Sequence, residues 1–306
     1  MDHEVPPSSM QTQTAAANSE NGNLDLNAHV PRTETAEASA AAPGAAQGGE
    51  VATNSSENLH VWEKFWDEGK ITFHRSAPHR HLLKFGPDIL RQGDLEKGQR
   101  VFVPLCGKTL DLAFLSELSV VSEVVGVEGV EKAVLDLQAE SPALQLSERE
   151  ERLGGFRVFA SSESLGVSVL LGDFFSLSAS ASVSDTRSLS ALQLEPFDFV
   201  WDRAALIAVE PSLRQDYVRI LHNVTKCGGG RVLLVACDRA AGSEEARQKG
   251  PPFSLPEEEV RLLFCSPFWN KVEKVHSSEE IENYERFKQQ GLTSYLEEVY
   301  VITRTA

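Results

Sequence analysis

Residues suited to ligand chemistry follow a short apolar segment, RVFVP at 100–104. The next residues, LCGK at 105–108, make a turn that leads into an amphipathic segment. Backbone N–H groups at the start of a helix attract anionic groups, and Gly107 lets a ligand approach the backbone closely. The G-x-G-x-x-G fingerprint is absent, which argues against NAD or FAD. An ordinary strand-to-helix turn explains this segment alone equally well.

A carboxylate follows the next apolar segment, EVVGV at 123–127. Glu128 lies 21 positions after Gly107, close to the ~20-residue offset at which an acidic side chain accepts hydrogen bonds from ribose hydroxyls. Taken alone, Glu128 could equally be a solvated cap of the following helix. Together with the glycine turn it favours a nucleoside ligand. A nucleoside cofactor without a pyrophosphate site indicates S-adenosylmethionine.

A third group of polar residues ends the apolar segment at 197–201, which continues into Asp202 and Arg203. In one interpretation Asp202 caps the following helix and Arg203 is its ion-pair partner. In the other, Arg203 lies at the mouth of a ligand site, where its planar guanidinium stacks on a ligand or donates to it. The residues themselves leave both interpretations open.

These residues need a scaffold that brings several strand ends together. Apolar and amphipathic segments alternate in a βαβα order, typical of a mostly parallel sheet with helices on both faces, and such sheets bind ligands at the carboxyl ends of their strands. The last two strands lie too close in sequence for a crossover helix, so we expect an antiparallel edge. The predicted strands are 100–104, 123–127, 157–160, 167–171, 197–201, 231–236, 272–276 and 296–302. The predicted helices are 79–91, 110–118, 130–139, 212–225 and 256–264, and an aromatic-rich amphipathic segment, 59–68, precedes them.

Composition divides the chain into segments. Residues 1–58 contain almost no aromatic or large aliphatic side chains, so burial cannot offset the entropy of ordering them, and we predict a disordered tail. Residues 59–306 are predicted to form a single domain. Within it, the Ser- and Ala-rich stretch near 176–195 resembles an inserted surface loop.

The charge balance limits the partners of this 306-residue chain. It contains 29 basic and 45 acidic residues, a net charge of −16, which repels phosphate backbones and anionic lipids. We therefore expect neither nucleic acid nor a membrane as a partner, and we expect a monomer. Four widely spaced cysteines argue against a disulfide framework or a structural zinc site. A basic segment followed by an apolar one is not seen at the N-terminus, so we do not expect a secretory signal. No apolar run reaches the ~20 residues needed to cross a bilayer, and we expect a cytoplasmic protein.

Five linked motifs together carry a family resemblance. They are W-x3-W-x2-GK-x2-FH at 62–74, PLCGK at 104–108, GVE at 126–128, WDRAAL at 201–206 and GPPF at 250–253. The set resembles the thiopurine S-methyltransferase family, and the resemblance runs from about residue 60 to residue 304. It implies a Rossmann-like methyltransferase fold with a mostly parallel, seven-stranded type of sheet, an antiparallel edge, helices on both faces and an N-terminal helical cover. The implied reaction is S-adenosylmethionine-dependent S-methylation of a small aromatic or heterocyclic thiol.

The resemblance also implies roles for particular residues. Phe73, Arg203 and Arg286 are expected to contact the acceptor, and the two arginines are expected to lower its effective pKa and orient its ring for direct in-line transfer. The longer tail, the stretch near 176–195 and the charge of Asp173 are departures from the family pattern that bear on the choice of acceptor. The residues expected to bind the cofactor are Trp62, Trp66, Phe73, Leu105, Gly107, Glu128, Asp173, Phe174 and Arg203.

Other interpretations lead to different expectations. The acceptor could instead be inorganic sulfide, a halide, or a selenium or tellurium species, or the chain could be a non-catalytic S-adenosylmethionine-binding scaffold. The spacing of His74, His79 and His81 fits no established metal site, so no metal is predicted. Cys106 is expected to be a small buried packing residue. The prolines at 251–252 either form a rigid flap over the acceptor or end a loop.

Overall fold

The computed structural model describes residues 51–93, 97–162, 165–178 and 194–304, and these residues form a mixed α/β structure. The strands are β1 (Gln99–Val103), β2 (Val121–Glu128), β3 (Ser147–Leu153), β4 (Phe156–Ala160), β5 (Val167–Leu171), β6 (Phe199–Arg203), β7 (Arg231–Ala241), β8 (Trp269–Glu279) and β9 (Leu292–Arg304). The α-helices are α1 (Val51–Asp67), α2 (Arg80–Leu90), α3 (Asp111–Ser116), α4 (Glu131–Glu140), α5 (Arg214–Val224), α6 (Glu244–Gln248), α7 (Glu257–Leu263) and α8 (Glu285–Gln289).

One sheet contains all of these strands, in the order β3-β4-β5-β2-β1-β6-β7-β9-β8. Its centre, β5-β2-β1-β6-β7, is parallel throughout. Because parallel strands end at the same edge, the residues that follow β1, β2, β5 and β6 meet there. The predicted mostly parallel sheet is therefore confirmed, and the strand order reverses direction next to β1, where such sheets form a crevice.

Both outer parts of the sheet are antiparallel. The expected edge is confirmed, since β9 pairs with β7 and β8 in antiparallel register. At the opposite edge, β3 and β4 extend the seven-stranded arrangement to nine strands. The sequence analysis missed β3 because its side chains, SEREERL, are polar and exposed apart from the half-buried Leu153. Backbone pairing with β4 holds β3 in place, and the Arg157 guanidinium of β4 donates to the Glu148 carboxylate of β3 at 2.7 Å.

Two hydrophobic cores lie on opposite faces of the sheet. Phe102 of β1 belongs to the core that contains Tyr217 and Leu221 of α5. Its neighbour Val101 faces the other core, which contains Leu82 of α2. The alternation follows from the two-residue period of a strand, and each fully buried aliphatic or aromatic side chain stabilises the fold by roughly 1.5–3 kcal/mol. Helices thus anchor both faces, and the strand ends are held in position.

Two of the predicted segments, 1–58 and the stretch near 176–195, extend beyond the described residues. Helix α1 begins at Val51, inside the segment 1–58 that is predicted to be a disordered tail, and residues 1–50 lie outside the described ranges. Of the predicted insertion, residues 179–193 lie outside them, and Phe174–Ser178 forms a 3-10 turn. Among the helices that the structure describes, none has the length and apolar character needed to cross a membrane.

Candidate active site

A cavity of about 480 Å³ opens at the carboxyl ends of the parallel strands. This volume lies in the range of roughly 300–1,000 Å³ that is typical of small-molecule sites. The turn after β1, the last residues of β2 and β6, and the residues after β5 all contribute to its wall. Every residue that the sequence analysis proposed for the site lines this cavity: Trp62, Trp66, Phe73, Leu105, Gly107, Glu128, Asp173, Phe174, Arg203 and Arg286.

The turn after β1 and the end of β2 are joined directly. The backbone N–H of Gly107 donates to a Glu128 carboxylate oxygen at 2.7 Å. Gly107 has φ +54, which favours glycine, and a Cβ at this position would lie 3.3 Å from the Trp66 ring. Leu105 is also in the left-handed region, with φ 44, so the chain turns sharply here. The glycine turn and the carboxylate therefore share one cavity, as predicted.

Glu128 is buried, so it is not a solvated cap of the helix that follows. Its second carboxylate oxygen accepts the backbone N–H of Val130 at 2.8 Å. Burial raises the pKa of Glu128, and the N–H bonds from Val130 and Gly107 oppose that rise. Each carboxylate oxygen has two lone pairs, so a Glu128 that faces the cavity retains acceptor capacity for vicinal hydroxyl groups. Such a pair of acceptor oxygens fits the two hydroxyl groups of a ribose.

An aromatic cluster from α1 covers the cavity. The Phe73 ring packs edge-on against Trp62 and Trp66, with ring centroids 5.7 and 5.9 Å apart. Trp66 is buried and packs with Val130 and Ala133 at the start of α4. The i,i+4 spacing of the two tryptophans therefore places both on the face of α1 that points into the protein. This is the N-terminal helical cover that the family resemblance implies.

Arg203 ends β6 and reaches across to this cover. Its guanidinium is half-buried and donates to the backbone carbonyl of Phe73 at 2.7 Å. Burial lowers the pKa of Arg203, and the nearby positive charge of Arg75 lowers it further. An arginine nevertheless stays protonated at any physiological pH, so the cavity wall carries a fixed positive charge.

Arg286 lies at the rim of the cavity on α8. Its side chain is exposed, its guanidinium lies 4.6 Å from the centre of the Phe287 ring, and it donates to the hydroxyl of Thr72. In the same region Arg75 donates to the phenol of Tyr284 at 2.8 Å. Residues 72–75 are thus joined to the start of α8 by two hydrogen bonds that run in opposite directions.

The residues after β5 divide between the core and the cavity. Phe174 is almost completely buried and stacks on Tyr217 with ring centroids 4.7 Å apart, so most of its ring serves the core. Phe175, which the sequence analysis did not single out, is half-buried and lines the cavity edge-on to Phe174 at 5.6 Å. The carboxylate of Asp173 accepts the N–H of Phe175 at 2.9 Å and orients this turn.

Comparison with known proteins identifies the family. The sequence model of the family described as thiopurine S-methyltransferase (TPMT) matches residues 57–305, most of the chain. The chain belongs to the thiopurine S-methyltransferase family. A thiopurine S-methyltransferase of Pseudomonas putida is 35% identical over 245 residues, which cover 79% of this chain and 98% of the relative. The thiopurine S-methyltransferase of Canis lupus familiaris is 30% identical over 255 residues, covering 83% and 93%.

Solved structures give more distant likenesses. An S-adenosylmethionine-dependent methyltransferase from Anabaena variabilis is 12% identical, with a TM-score of 0.48, and the match covers 80% of this chain and 94% of that one. Membership of the thiopurine S-methyltransferase family makes the protein a methyltransferase of the EC 2.1.1 class, with S-adenosylmethionine as the methyl donor.

Asp111 and Trp201 also line the cavity, and the sequence analysis selected neither of them for the site. Asp111, at the start of α3, accepts the indole N–H of Trp201 at 2.8 Å and the backbone N–H of His79 at 2.7 Å. These bonds tie the ends of β1 and β6 to the start of α2. Burial lowers the pKa of His79 to about 3, so this histidine is neutral at physiological pH. The only sign of this hydrogen-bonded group in the sequence was the Trp that directly precedes Asp202 and Arg203.

Asp202 and Arg203 do not form the ion pair considered above. Asp202 is completely buried and accepts from the hydroxyl of Tyr217 at 2.7 Å and from the backbone N–H of Leu206 at 3.1 Å. Asp202 therefore caps the turn after β6 and faces the core, while Arg203 faces the cavity. Adjacent residues of a strand point to opposite faces, which explains this division of roles.

The structure also places the cysteine, the histidines and the prolines for which the sequence left alternatives open. Cys106 is buried, and burial raises the pKa of its thiol well above the usual value, consistent with packing rather than nucleophilic chemistry. His81 bonds to Glu297 at 2.8 Å, and the structure places no metal-binding group of His, Cys, Asp and Glu among its described residues. The prolines at 251–252 line the cavity, and the N–H of Phe253 anchors them to the carbonyl of Ile207 at 2.7 Å.

Proposed function

We propose that this protein transfers the methyl group of S-adenosylmethionine directly to the sulfur of a small aromatic or heterocyclic thiol. The observation that carries the proposal is one cavity with two chemically different parts. Its base contains the Glu128 carboxylate and the Gly107 turn, and its upper wall contains the Arg203 guanidinium beside the Phe73 ring. The first part suits an adenosyl group, and the second suits an anionic aromatic acceptor.

The base of the cavity supplies the donor-binding residues in this proposal. Glu128 accepts from the ribose hydroxyls, and Gly107 leaves room for the ligand beside the backbone. Asp173, Phe174 and Phe175 line the cavity after β5 and are assigned to the adenine in this proposal, and Trp66 lines the same cavity. When bound, S-adenosylmethionine would supply an electrophilic methyl group. Its bond to the sulfonium sulfur would break as the bond to the acceptor sulfur forms, with S-adenosylhomocysteine as the leaving group.

The upper wall supplies the acceptor-binding residues. Arg203 holds the thiolate form of the acceptor, since a fixed positive charge lowers the pKa of a nearby thiol, and the thiol proton passes to solvent before transfer. Phe73 supplies an aromatic surface for the acceptor ring, and Arg286 guides the ring at the rim. Heteroaromatic thiols ionise readily, so no strong general base is needed.

Catalysis then depends chiefly on alignment and on excluding water. Holding two reactants in near-attack geometry can supply roughly 7–11 kcal/mol of the barrier reduction. The aromatic cover and the prolines at 251–252 both line the cavity, so apolar groups replace water around much of it. Opposite charges combine in the transition state, so a site with little water favours the reaction.

A panel of acceptors tests the proposed reaction. The full chain is incubated with methyl-labelled S-adenosylmethionine and with heteroaromatic thiols, thiophenols, sulfide, halides, selenite and tellurite. We expect labelled thioethers from the aromatic and heteroaromatic thiols. Turnover of only sulfide, halide, selenium or tellurium compounds would replace the proposed acceptor class. Calorimetric binding of S-adenosylmethionine without methylation of any acceptor would instead support a non-catalytic binder.

Substitution of Arg203 tests the role of the guanidinium. Arg203→Ala removes a charge-assisted interaction worth roughly 1.5–3 kcal/mol, so kcat/KM for the thiol should fall about 10- to 100-fold. Arg203→Lys keeps the charge but not the planar fork and should recover part of the loss. The pH profile of kcat should also move to higher pH in Arg203→Ala, because the bound acceptor thiol then ionises at higher pH. Arg91→Ala, on the exposed end of α2, is the matched control. Unchanged kcat/KM and an unchanged pH profile in both Arg203 variants would remove this residue from the mechanism.

A further inference from the structure

The loop that contains the prolines at 251–252 has few backbone groups that can fix its position. It follows β7 and returns beside it, where the N–H of Phe253 donates to the carbonyl of Ile207 and the N–H of Leu255 donates to the carbonyl of Cys237, both at 2.7 Å. A proline has no N–H, so the backbone of the two prolines forms hydrogen bonds only through carbonyl oxygens. A hydrogen bond that fixes the proline segment must therefore come from a donor outside it.

Arg239 of β7 is such a donor. Its Nη1 donates to the backbone carbonyls of Lys249, which precedes the Gly-Pro-Pro segment, and of Pro252, which ends it. Its Nη2 donates to the carbonyl of Ala246 in α6 at 3.4 Å. The side chain is almost completely buried, and burial lowers the pKa of Arg239, yet an arginine stays protonated at physiological pH. The protein thus keeps a cation in its interior that donates to three carbonyls of this one loop.

The same guanidinium also contacts a second part of the cavity wall. Its Cζ lies 5.7 Å from the centre of the Phe287 ring, within the ~6 Å range of a cation–π contact. Phe287 of α8 stacks on Tyr295 of β9 with ring centroids 5.0 Å apart, and the Tyr284 ring lies 5.1 Å from each of them. These three side chains form an aromatic wall of the cavity, and the prolines line it as well. Arg239 is not among the described residues that line the cavity, so it joins two parts of the wall from behind.

We propose that Arg239 is a positioning residue for the acceptor: it fixes the prolines at 251–252 relative to the aromatic wall and so sets the width of the acceptor pocket. This inference rests on the proposed function, because it assigns this part of the cavity to the acceptor ring. Transfer depends on near-attack geometry, so a wall of fixed width contributes through alignment of the ring. Glu128 and Gly107 are bonded to each other, and Arg239 should therefore leave the donor site unchanged.

Arg214, at the start of α5, provides a matched control. Like Arg239 it is almost completely buried, and in both side chains Nε has no hydrogen-bond partner in the described part of the chain. Its Nη2 donates to the carbonyl of Ser254 at 3.1 Å, and its Nη1 donates to Glu259 at 2.6 Å. Neither of these two partners is among the described residues that line the cavity. Replacing either arginine removes buried hydrogen bonds to the same loop, but only Arg239 bonds to a residue of the cavity wall.

The test compares Met and Lys at the two positions in the full chain. We expect Arg239→Met to lower kcat/KM for thiophenol roughly 10- to 100-fold, since a displacement of about 1 Å can cost that much, and to leave the calorimetric Kd for S-adenosylhomocysteine unchanged. Arg239→Lys keeps the charge, but its ammonium ends one bond short of Nη1, so it should recover only part of the loss. Arg214→Met and Arg214→Lys should keep the wild-type kcat/KM, although urea should unfold Arg214→Met and Arg239→Met at similarly reduced concentrations.

Hydrogen exchange tests the position of the loop without any reaction. The amides of Gly250 and Phe253 flank the prolines, and their exchange should become faster in Arg239→Met and remain unchanged in Arg214→Met. Faster exchange would support anchoring by Arg239 even if the wild-type protein methylated no thiol. Failure of the proposed function would instead appear as the absence of thioether product in the wild type. Equal exchange of the two amides in the wild type and in Arg239→Met would refute the anchoring.

Three kinetic results would overturn the inference. One is an unchanged kcat/KM for thiophenol in Arg239→Met. The second is an equal loss in the Arg239 and Arg214 variants, which would show a general effect of removing a buried arginine. The third is full recovery in Arg239→Lys, which would show that the charge acts on the reaction rather than the placement of the wall. If Arg239→Met does not fold, the two Lys variants provide the same comparison, and equal kcat/KM in both would overturn the inference.

Discussion

Asp202 offers a quantitative test of how the site is supported from the core. Its side chain is completely buried behind Arg203, and it accepts from Tyr217 and Leu206. Burial raises the pKa of Asp202 from 3.8 to about 6, because its two partners offset only part of the cost of removing the charge from water. The perturbation is Asp202→Asn, which replaces the titrating carboxyl with a neutral amide of nearly the same shape.

The direction of the pKa shift of Asp202 determines whether the stability of the fold rises or falls with pH. A folded-state pKa above the unfolded value means that the fold favours the protonated acid. The corresponding stability is fully present below pH 3.8 and is lost as the pH rises to about 6. A difference of about two pH units corresponds to about 3 kcal/mol. In Asp202→Asn the amide oxygen still accepts from Leu206, and the amide N–H can donate to the Tyr217 hydroxyl, so the variant does not incur this loss.

The assay is urea unfolding of both proteins at a series of pH values within this window and on either side of it. The free energy of unfolding of Asp202→Asn should rise relative to wild type by about 3 kcal/mol across the window. Titrations elsewhere in the protein cancel in this difference. Tyr217→Phe removes a hydrogen bond that lowers the pKa of Asp202, so it should move the window to higher pH. A difference between wild type and Asp202→Asn that stays flat from pH 3.8 to about 6 would refute the reasoning.

Three further outcomes are expected. Gly107→Ala and Gly228→Ala both place a side chain in the left-handed region, so each should lose roughly 1–2 kcal/mol in urea unfolding. Only Gly107→Ala should also weaken calorimetric binding of S-adenosylhomocysteine, since its Cβ meets Trp66 whereas that of Gly228 meets open space; equal binding by both would contradict this. Glu128→Gln should raise the Kd for S-adenosylhomocysteine about 10- to 100-fold through loss of charge-assisted hydrogen bonds, and an unchanged Kd would remove Glu128 from the donor site. Trp201→Phe leaves a buried Asp111 oxygen without its donor and should cost roughly 1–3 kcal/mol in urea unfolding, whereas undiminished stability would show that this bond does not support the fold.

The strands with apolar patterns were predictable, and their ends were less so. The predicted strand at 167–171 agrees residue for residue with β5, because buried parallel strands are almost continuously apolar. β7 and β9, which pair with each other in antiparallel orientation, run longer than predicted, since this pairing continues up to Ala241 and Leu292. Backbone pairing extends a strand beyond its apolar residues, and β3 shows the extreme case of a strand without an apolar pattern.

Cavity residues that belong to local sequence patterns were easier to predict than cavity residues that are placed by tertiary contacts. Glu128 and Gly107 follow strands at an offset that reflects a general property of nucleoside sites. Asp111 and Trp201, by contrast, are 90 residues apart and meet only because β6 lies beside β1. Arg75 belongs to none of the five motifs, and nothing in its sequence context indicated that Tyr284 would be its partner.

The amino-acid sequence by itself determined the alternation of strands and helices, the strand-end positions of Gly107, Glu128 and Arg203, and the family. These features are local, because apolar periodicity and turn chemistry act over a few residues. The tertiary structure decided which polar groups meet: the bond from Arg203 to the cover, the burial of Asp202 against Tyr217, and the bond from Arg75 to Tyr284. Such contacts join distant segments, and they depend on how the sheet orders its strands and how the helices pack on it.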